Sequence, residues 1–193
     1  MSVKILNSRI ACRQGVFETN SSSMHSLVVM KDVKTPFPAT DAWSADDLGN
    51  DKYIINVTGN DYGRAPLEFL GHPVDKFLYI LASQYSRYSD ESAERDEFIA
   101  EMVKRLDGCE GFKFGIDSWD GKTDYGYVDH QSSGTVWRYL QENNIEPFDF
   151  IFDPKQVIII DGDEYCSWNE MKRSGLINTD NIDTDLYENE DDE

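Results

Sequence analysis

Apolar positions along the chain recur in two spacings, one suited to strands and one to helices. Leu27-Val28-Val29-Met30 and Tyr53–Val57 are short apolar runs, the second stopped by Thr58-Gly59-Asn60-Asp61, and such runs bounded by turn residues predict buried strands. Pro73 suits the first position of a helix, and Val74, Phe77, Leu78, Leu81 and Tyr85 follow at helical spacing, predicting an amphipathic helix to about Tyr88. A second helix, from about Ser92 to Leu106, carries Phe98, Ile99, Met102, Val103 and Leu106 on one face, with Gly108 placed to end it. Phe112–Ile116 reads as a strand. Thr135–Asn143 reads as a third helix with Val136, Tyr139 and Leu140 inward, and Phe148–Phe152 and Gln156–Ile160 read as strands around the Asp153-Pro154 turn.

Between these elements, Asp32–Asn50 contains Pro36, Pro38 and Gly49 and reads as an irregular crossing, while Asp117–Ser133 reads as a long polar loop. Ser2–Ile10 suits a short first strand and Tyr165–Arg173 a short helix, and no internal repeat is present. The expected class is α+β: a single domain over residues 1–177, with a mixed or antiparallel sheet of about five strands and two long helices packed on it. Residues 178–193 form an acidic tail with little to bury.

Composition adds a charge to this outline. The 193 residues suit one domain, and 37 acidic against 18 basic residues leave a formal net charge of -19. A field of that sign repels DNA, RNA and anionic membrane and attracts basic protein surfaces. Acidity also keeps a chain soluble, so charge alone names no partner. Part of the excess is local, since Thr179–Glu193 holds eight acidic and no basic residues. Cys12, Cys109 and Cys166 are odd in number, far apart and in no CxxC arrangement, which argues against a disulfide framework or zinc site and fits a reducing cytosol. No apolar run approaches the ~20 residues of a membrane span, and the N-terminus lacks the apolar core of a signal peptide.

Two polar stretches offer chemistry. Phe17–Ser26 brings together Glu18, Asn20, His25 and the hydroxyls of Thr19, Ser21, Ser22, Ser23 and Ser26, all able to bond backbone, water, phosphate or substrate. Tyr125–Gly134 pairs Asp129 with His130 and leads through Gln131 and Ser132 toward a helix N-terminus, where an anion is favoured. If the stretches meet, His25, His130 and Asp129 are candidate catalytic residues, with Asn20, Ser21, Ser22, Ser23, Ser26, Gln131 and Ser132 binding a ligand. The structural alternative has the hydroxyls capping a turn and tying down the N-terminal arm, with Ser133 a helix cap. His130-Gln131-Ser132 fits the His-x-Ser/Thr pattern of two-histidine phosphoesterases, whereas in His25-Ser26-Leu27 the serine comes one position early.

No GxxxxGK[ST] loop exists, and Asp117-Ser118-Trp119-Asp120-Gly121 breaks the spacing of a calcium loop, so neither metal nor cofactor is expected. Asp117, Asp120 and Asp124 are better read as a solvated acidic loop and as candidate partner-binding residues. His72, just before Pro73, reads as a residue at a helix start.

Phe17-Glu18-Thr19-Asn20-Ser21-Ser22-Ser23-Met24-His25-Ser26 closely resembles an N-terminal signature of uncharacterised proteins from large bacteriophages and Gram-positive bacteria, in which the Met24 position is more often Thr. Asp61-Tyr62-Gly63 with Pro73–Ile80, and Tyr127-Val128-Asp129-His130-Gln131-Ser132, are similar to its later motifs, so the likeness covers about the first two-thirds of the chain. The resemblance implies a phage or mobile-element setting in a bacterial cytoplasm and brings no activity. Two classes follow. One is an accessory protein whose acidic surface imitates a phosphate backbone and binds a basic host protein, such as a polymerase or a nucleic-acid-handling or defence effector, for example a CRISPR effector. It contacts neither nucleic acid nor membrane directly. The other is a small enzyme or phosphate-binding protein using His25 and Asp129-His130.

Overall fold

A computed structural model describes residues 25–30, 39–62, 68–85, 92–128 and 135–161. Along them run β1 (His25–Met30), β2 (Trp43–Gly49), β3 (Lys52–Val57), β4 (Asp61–Tyr62), β5 (Glu68–Leu70), α1 (Pro73–Gln84), α2 (Ala93–Arg105), β6 (Cys109–Lys113), β7 (Gly115–Ile116), β8 (Thr123–Asp124), β9 (Tyr127–Val128), α3 (Thr135–Glu142), α4 (Pro147–Phe152) and β10 (Gln156–Asp161). The chain is α+β.

Helix α1 is the centre of the core. Pro73 opens it with a preset φ, and the preceding His72 caps it, its Nδ1 accepting from the Val74 amide at 3.2 Å. Every residue from Val74 to Ala82 is buried, so the helix is covered on all sides rather than along one stripe. Phe77, Leu78, Ile80 and Leu81 each contribute about 1.5–3 kcal/mol by leaving water. Packed with them are Leu70, Ile158 and Ile160 from strands and Val136, Leu140, Phe150 and Ile151 from α3 and α4.

Burial on all sides takes two charges inside, and each is fully bonded. Asp75 accepts from the Thr40 amide at 3.0 Å, the Thr40 hydroxyl at 2.7 Å and the Trp43 indole at 2.8 Å. Lys76 donates from Nζ to the carbonyls of Phe150 at 2.9 Å, Asp153 at 2.8 Å and Gln156 at 3.0 Å. Successive residues of one helix thus hold the approach to β2 and the α4–β10 connection.

Helix α2 is amphipathic. Ser92 caps it through the Arg95 amide, Glu94 and Asp96 occupy its first turn and Lys104 and Arg105 its last, as the helix dipole favours. Phe98 packs between Phe77 and Phe148, with ring centroids at 5.1 and 5.0 Å. After the helix, Gly108 turns the chain at φ 78°, and a Cβ there would collide with the Asp51 carbonyl oxygen.

The strands form two three-stranded sheets, ordered β1-β10-β5 and β2-β3-β6, and two pairs, β4-β9 and β7-β8. The first sheet is antiparallel, with His25 opposite Asp161 and Met30 opposite Gln156. In the second, β2 and β3 form a hairpin across Asn50 (φ 56°) and Asp51 (φ 61°), residue types that tolerate the left-handed region. β3 and β6 run parallel, connected through α1 and α2.

Several expectations need correction. Phe148–Phe152 is the core of α4, not a strand, and its neighbours Phe150 and Ile151 are both buried where a strand would alternate. A short apolar run fits either period, and Pro147 at the helix start decides it. Trp43–Gly49, expected within an irregular crossing, is β2, a mostly exposed strand whose polarity hid it until β3 paired with it. Phe112–Ile116 divides into β6 and β7, and the polar loop from Asp117 contains β8 and β9. The two long helices are present as α1 and α2, but among the described residues the strands are distributed over separate small sheets instead of one of about five. Within β3 only Ile55 is fully buried, whereas Gln156, Val157, Ile158 and Ile160 of β10 are buried as expected. The expected strand Ser2–Ile10, the helix Tyr165–Arg173 and the tail 178–193 lie outside the described residues.

Candidate partner-binding surface

Of the expected site residues, His25 begins β1 opposite Asp161, and Ser26 follows opposite Ile160. Asn20, Ser21, Ser22, Ser23, Asp129, His130, Gln131 and Ser132 lie outside the described residues, and with them the expected meeting of His25 with Asp129-His130. The expectation that can be followed in atomic detail is the acidic loop.

Asp117, Asp120 and Asp124 lie on one hairpin, built from β7 and β8. Each turns its Oδ1 back on the chain and accepts the amide two residues on: Asp117 from Trp119 at 2.7 Å, Asp120 from Lys122 at 2.9 Å, and Asp124 from Gly126 at 3.0 Å. The Asp117 amide donates to the Lys122 carbonyl at 2.8 Å, and the Gly121 amide donates to the Asp117 carbonyl at 2.9 Å. Asp side chains favour this local bonding, and Gly121 (φ 70°) and Gly126 (φ 86°) supply the conformations it needs. At Gly126 a Cβ would meet the Asn60 side chain and carbonyl, so the close approach of β9 to the β4 segment depends on glycine.

These carboxylates therefore shape the loop as well as charge it. At its tip stands Trp119, 96% exposed, with Ile116 on the adjoining strand 65% exposed. The aspartates are the binding groups expected from sequence, and Trp119 is not among them. The signal was present, since aspartates spaced around Ser118-Trp119 and a glycine at 121 describe a tight turn with an aromatic at its tip.

Lys113 and Lys122 are exposed beside and on the hairpin, and several other cations are buried or paired. Arg95 of α2 is buried, its guanidinium 4.2 Å from the Tyr125 ring centroid and bonded to Asp96. Lys76 is buried as well. Lys52 pairs with Glu110 at 2.6 Å, and Arg105 and Lys104 pair with Glu101 at 2.7 and 3.3 Å. Exposed carboxylates include Asp46, Asp47 and Asp51 on and after β2 and Asp120 on the hairpin.

The titrating groups in the interior are held by packing. Burial pulls the Lys76 ammonium down to about 8, with Asp153 acting against that pull, so it stays mostly charged at neutral pH. Three carbonyl acceptors match its three hydrogens and favour the same charged form. Burial also lowers the His72 imidazole, with Asp75 opposing and Lys76 adding to the effect. A neutral ring suits its position, because Nδ1 must accept from Val74 while the ring packs on Trp43 at 5.2 Å between centroids. Burial raises the Cys109 thiol, which is a packing group rather than a poised nucleophile.

Among the described residues, no group of three His, Cys, Asp or Glu could hold a metal ion, and no helix is long and apolar enough to cross a membrane. The chain matches no protein-family model, no curated protein and no solved structure.

Proposed function

We propose that this chain is a binding protein, a phage or mobile-element accessory factor acting in the bacterial cytoplasm through its acidic surface. Its partner is a basic host protein of the nucleic-acid-handling or defence class, for which a CRISPR effector is one example. The observation that carries this reading is the sorting of charge. Lys76 and Arg95 are taken inside and Lys52 is paired. The exposed cations Lys113, Lys122, Arg138 and Lys155 are outnumbered by exposed carboxylates, among them Asp46, Asp47, Asp51, Glu94, Glu97, Asp107 and Asp120. A net charge of -19 accelerates encounter with basic grooves and disfavours nucleic acid and anionic membrane. The phage setting rests on the resemblance of Phe17–Ser26. No observation among the described residues favours the alternative enzyme built on His25 and Asp129-His130.

The test is capture from host lysate on the immobilised chain at low and at high salt. Exposed charges are screened over about 8–10 Å near physiological ionic strength, so capture of a basic protein should fall steeply as salt rises. Capture that ignores salt, or capture of acidic proteins, would overturn the reading.

A further inference from the structure

Most large apolar side chains in the described residues are wholly or partly covered, and Trp119 is the extreme exception at 96% exposure. It is not on a slack loop. The hairpin beneath it is tied by the amide of Trp119 itself, by the amide of Lys122 onto Asp120, and by the Asp117–Lys122 and Asp117–Gly121 backbone bonds. An indole held out on a bonded turn costs little further ordering when it enters a pocket, and exposed Trp is among the residues that most often anchor protein interfaces.

We infer that Trp119 is the anchor of the binding surface, inserting into an apolar slot on the partner that is rimmed by Arg or Lys. This rests on the acidic-surface reading above and adds what charge alone does not supply, a fixed point of contact. The rim follows from charge complementarity. Asp117 and Asp120 flank Trp119 in the turn, and Asp124 lies at the base of the same hairpin opposite Gly115. Lys122 is the single cation between Gly115 and Val128, and Ile116 is a second exposed apolar side chain on the hairpin. The partner's cations would meet carboxylates around a ring whose face also attracts guanidinium. The same charges disfavour the other occupants: a second copy would set like charges against each other, and an anionic bilayer would be repelled.

Two labelled peptides of equal length and charge test this, one alternating Arg with Leu and the other Arg with Ser, titrated against the full chain and its Trp119→Ser variant by anisotropy. Trp119 packs against almost nothing, so the variant folds as the parent does. The parent should bind the Arg/Leu peptide about tenfold or more tighter than the Arg/Ser peptide, and Trp119→Ser should remove that preference, the weaker binding that remains to both peptides being salt-sensitive. If the preference is absent from the parent or survives in the variant, the anchor is overturned, and salt-sensitive binding of both peptides still supports the charge reading. If neither peptide binds the parent, both fall. Sedimentation and flotation with neutral phosphatidylcholine vesicles complete the test, since Trp119-dependent self-association or vesicle binding assigns the indole to another occupant and overturns the inference.

Discussion

The ammonium of Lys76 lies 2.8 Å from the carbonyl oxygen of Asp153, the residue that caps the C-terminal end of α4. With the Phe150 and Gln156 carbonyls at 2.9 and 3.0 Å, it gathers the end of a short helix and the start of β10 onto the central helix. A cation at a helix C-terminus is favoured by the dipole, and here it also satisfies carbonyls that burial keeps from water. A lysine that reads as a solvent-facing position in α1 is thus one of its principal tertiary ties.

Lys76→Met should therefore destabilise the chain strongly even though it replaces a charge with an apolar side chain of similar length. It leaves buried carbonyls at Phe150 and Gln156 without their donor, a cost of about 1–3 kcal/mol for each such group. We expect a total loss of about 3 kcal/mol or more in denaturant unfolding at constant slope. A loss under about 1 kcal/mol would mean that the α4–β10 connection rearranges to bond itself.

His72 should make stability depend on pH in the mildly acidic range. Its pKa in the folded chain lies below the ordinary 6.5, so the unfolded chain binds the proton more readily. The contribution is fully present above 6.5 and is lost as pH falls through the lower folded value, where protonation at Nδ1 removes the acceptor that caps α1. His72→Asn retains a capping acceptor and does not titrate. The stability difference between parent and variant, followed by urea unfolding from pH 7 to pH 5, should shift in favour of the variant as pH falls. A constant difference would show that the ring does not titrate through folding.

The hairpin carboxylates carry two roles that substitution can separate. Asn at Asp117, Asp120 and Asp124 keeps an oxygen for the bonds to the amides of Trp119, Lys122 and Gly126 and removes three charges. Ala at the same positions removes both. Binding of the Arg/Ser peptide should weaken in the Asn variant, with the loss concentrated in the association rate. The Ala variant should additionally speed exchange of the loop amides with solvent, read by hydrogen exchange. Equal exchange in the two variants would remove the structural role of the aspartates. Reversal to Lys would confuse the two effects, because it deletes the loop's acceptors along with its charge.

The α+β class, both long helices, α3 and the strands β1, β3 and β10 were legible from the chain alone, because helical spacing, caps and strand runs are local properties. Pro73, the Ser92 cap and the apolar residues of α1 and α2 mark both long helices to within a few residues of their ends, and Gln156–Ile160 marks β10. Local properties did not separate helix from strand at Phe148–Phe152, where five residues of Phe-rich sequence fit both periods. They also did not reveal β2, whose polar residues become a strand by pairing with β3. Tertiary structure alone decided the fate of the charges. Asp75 and Lys76 look like the wet face of an amphipathic helix, and they are buried because α1 is enclosed on every side, with acceptors and donors arriving from residues 32 to 80 positions away. It decided the hairpin too: three aspartates that read as free surface charge bend back onto their own amides, and the residue they present to solvent is Trp119. Sequence specifies which groups can bond, while which of them meet depends on contacts between residues far apart in the chain.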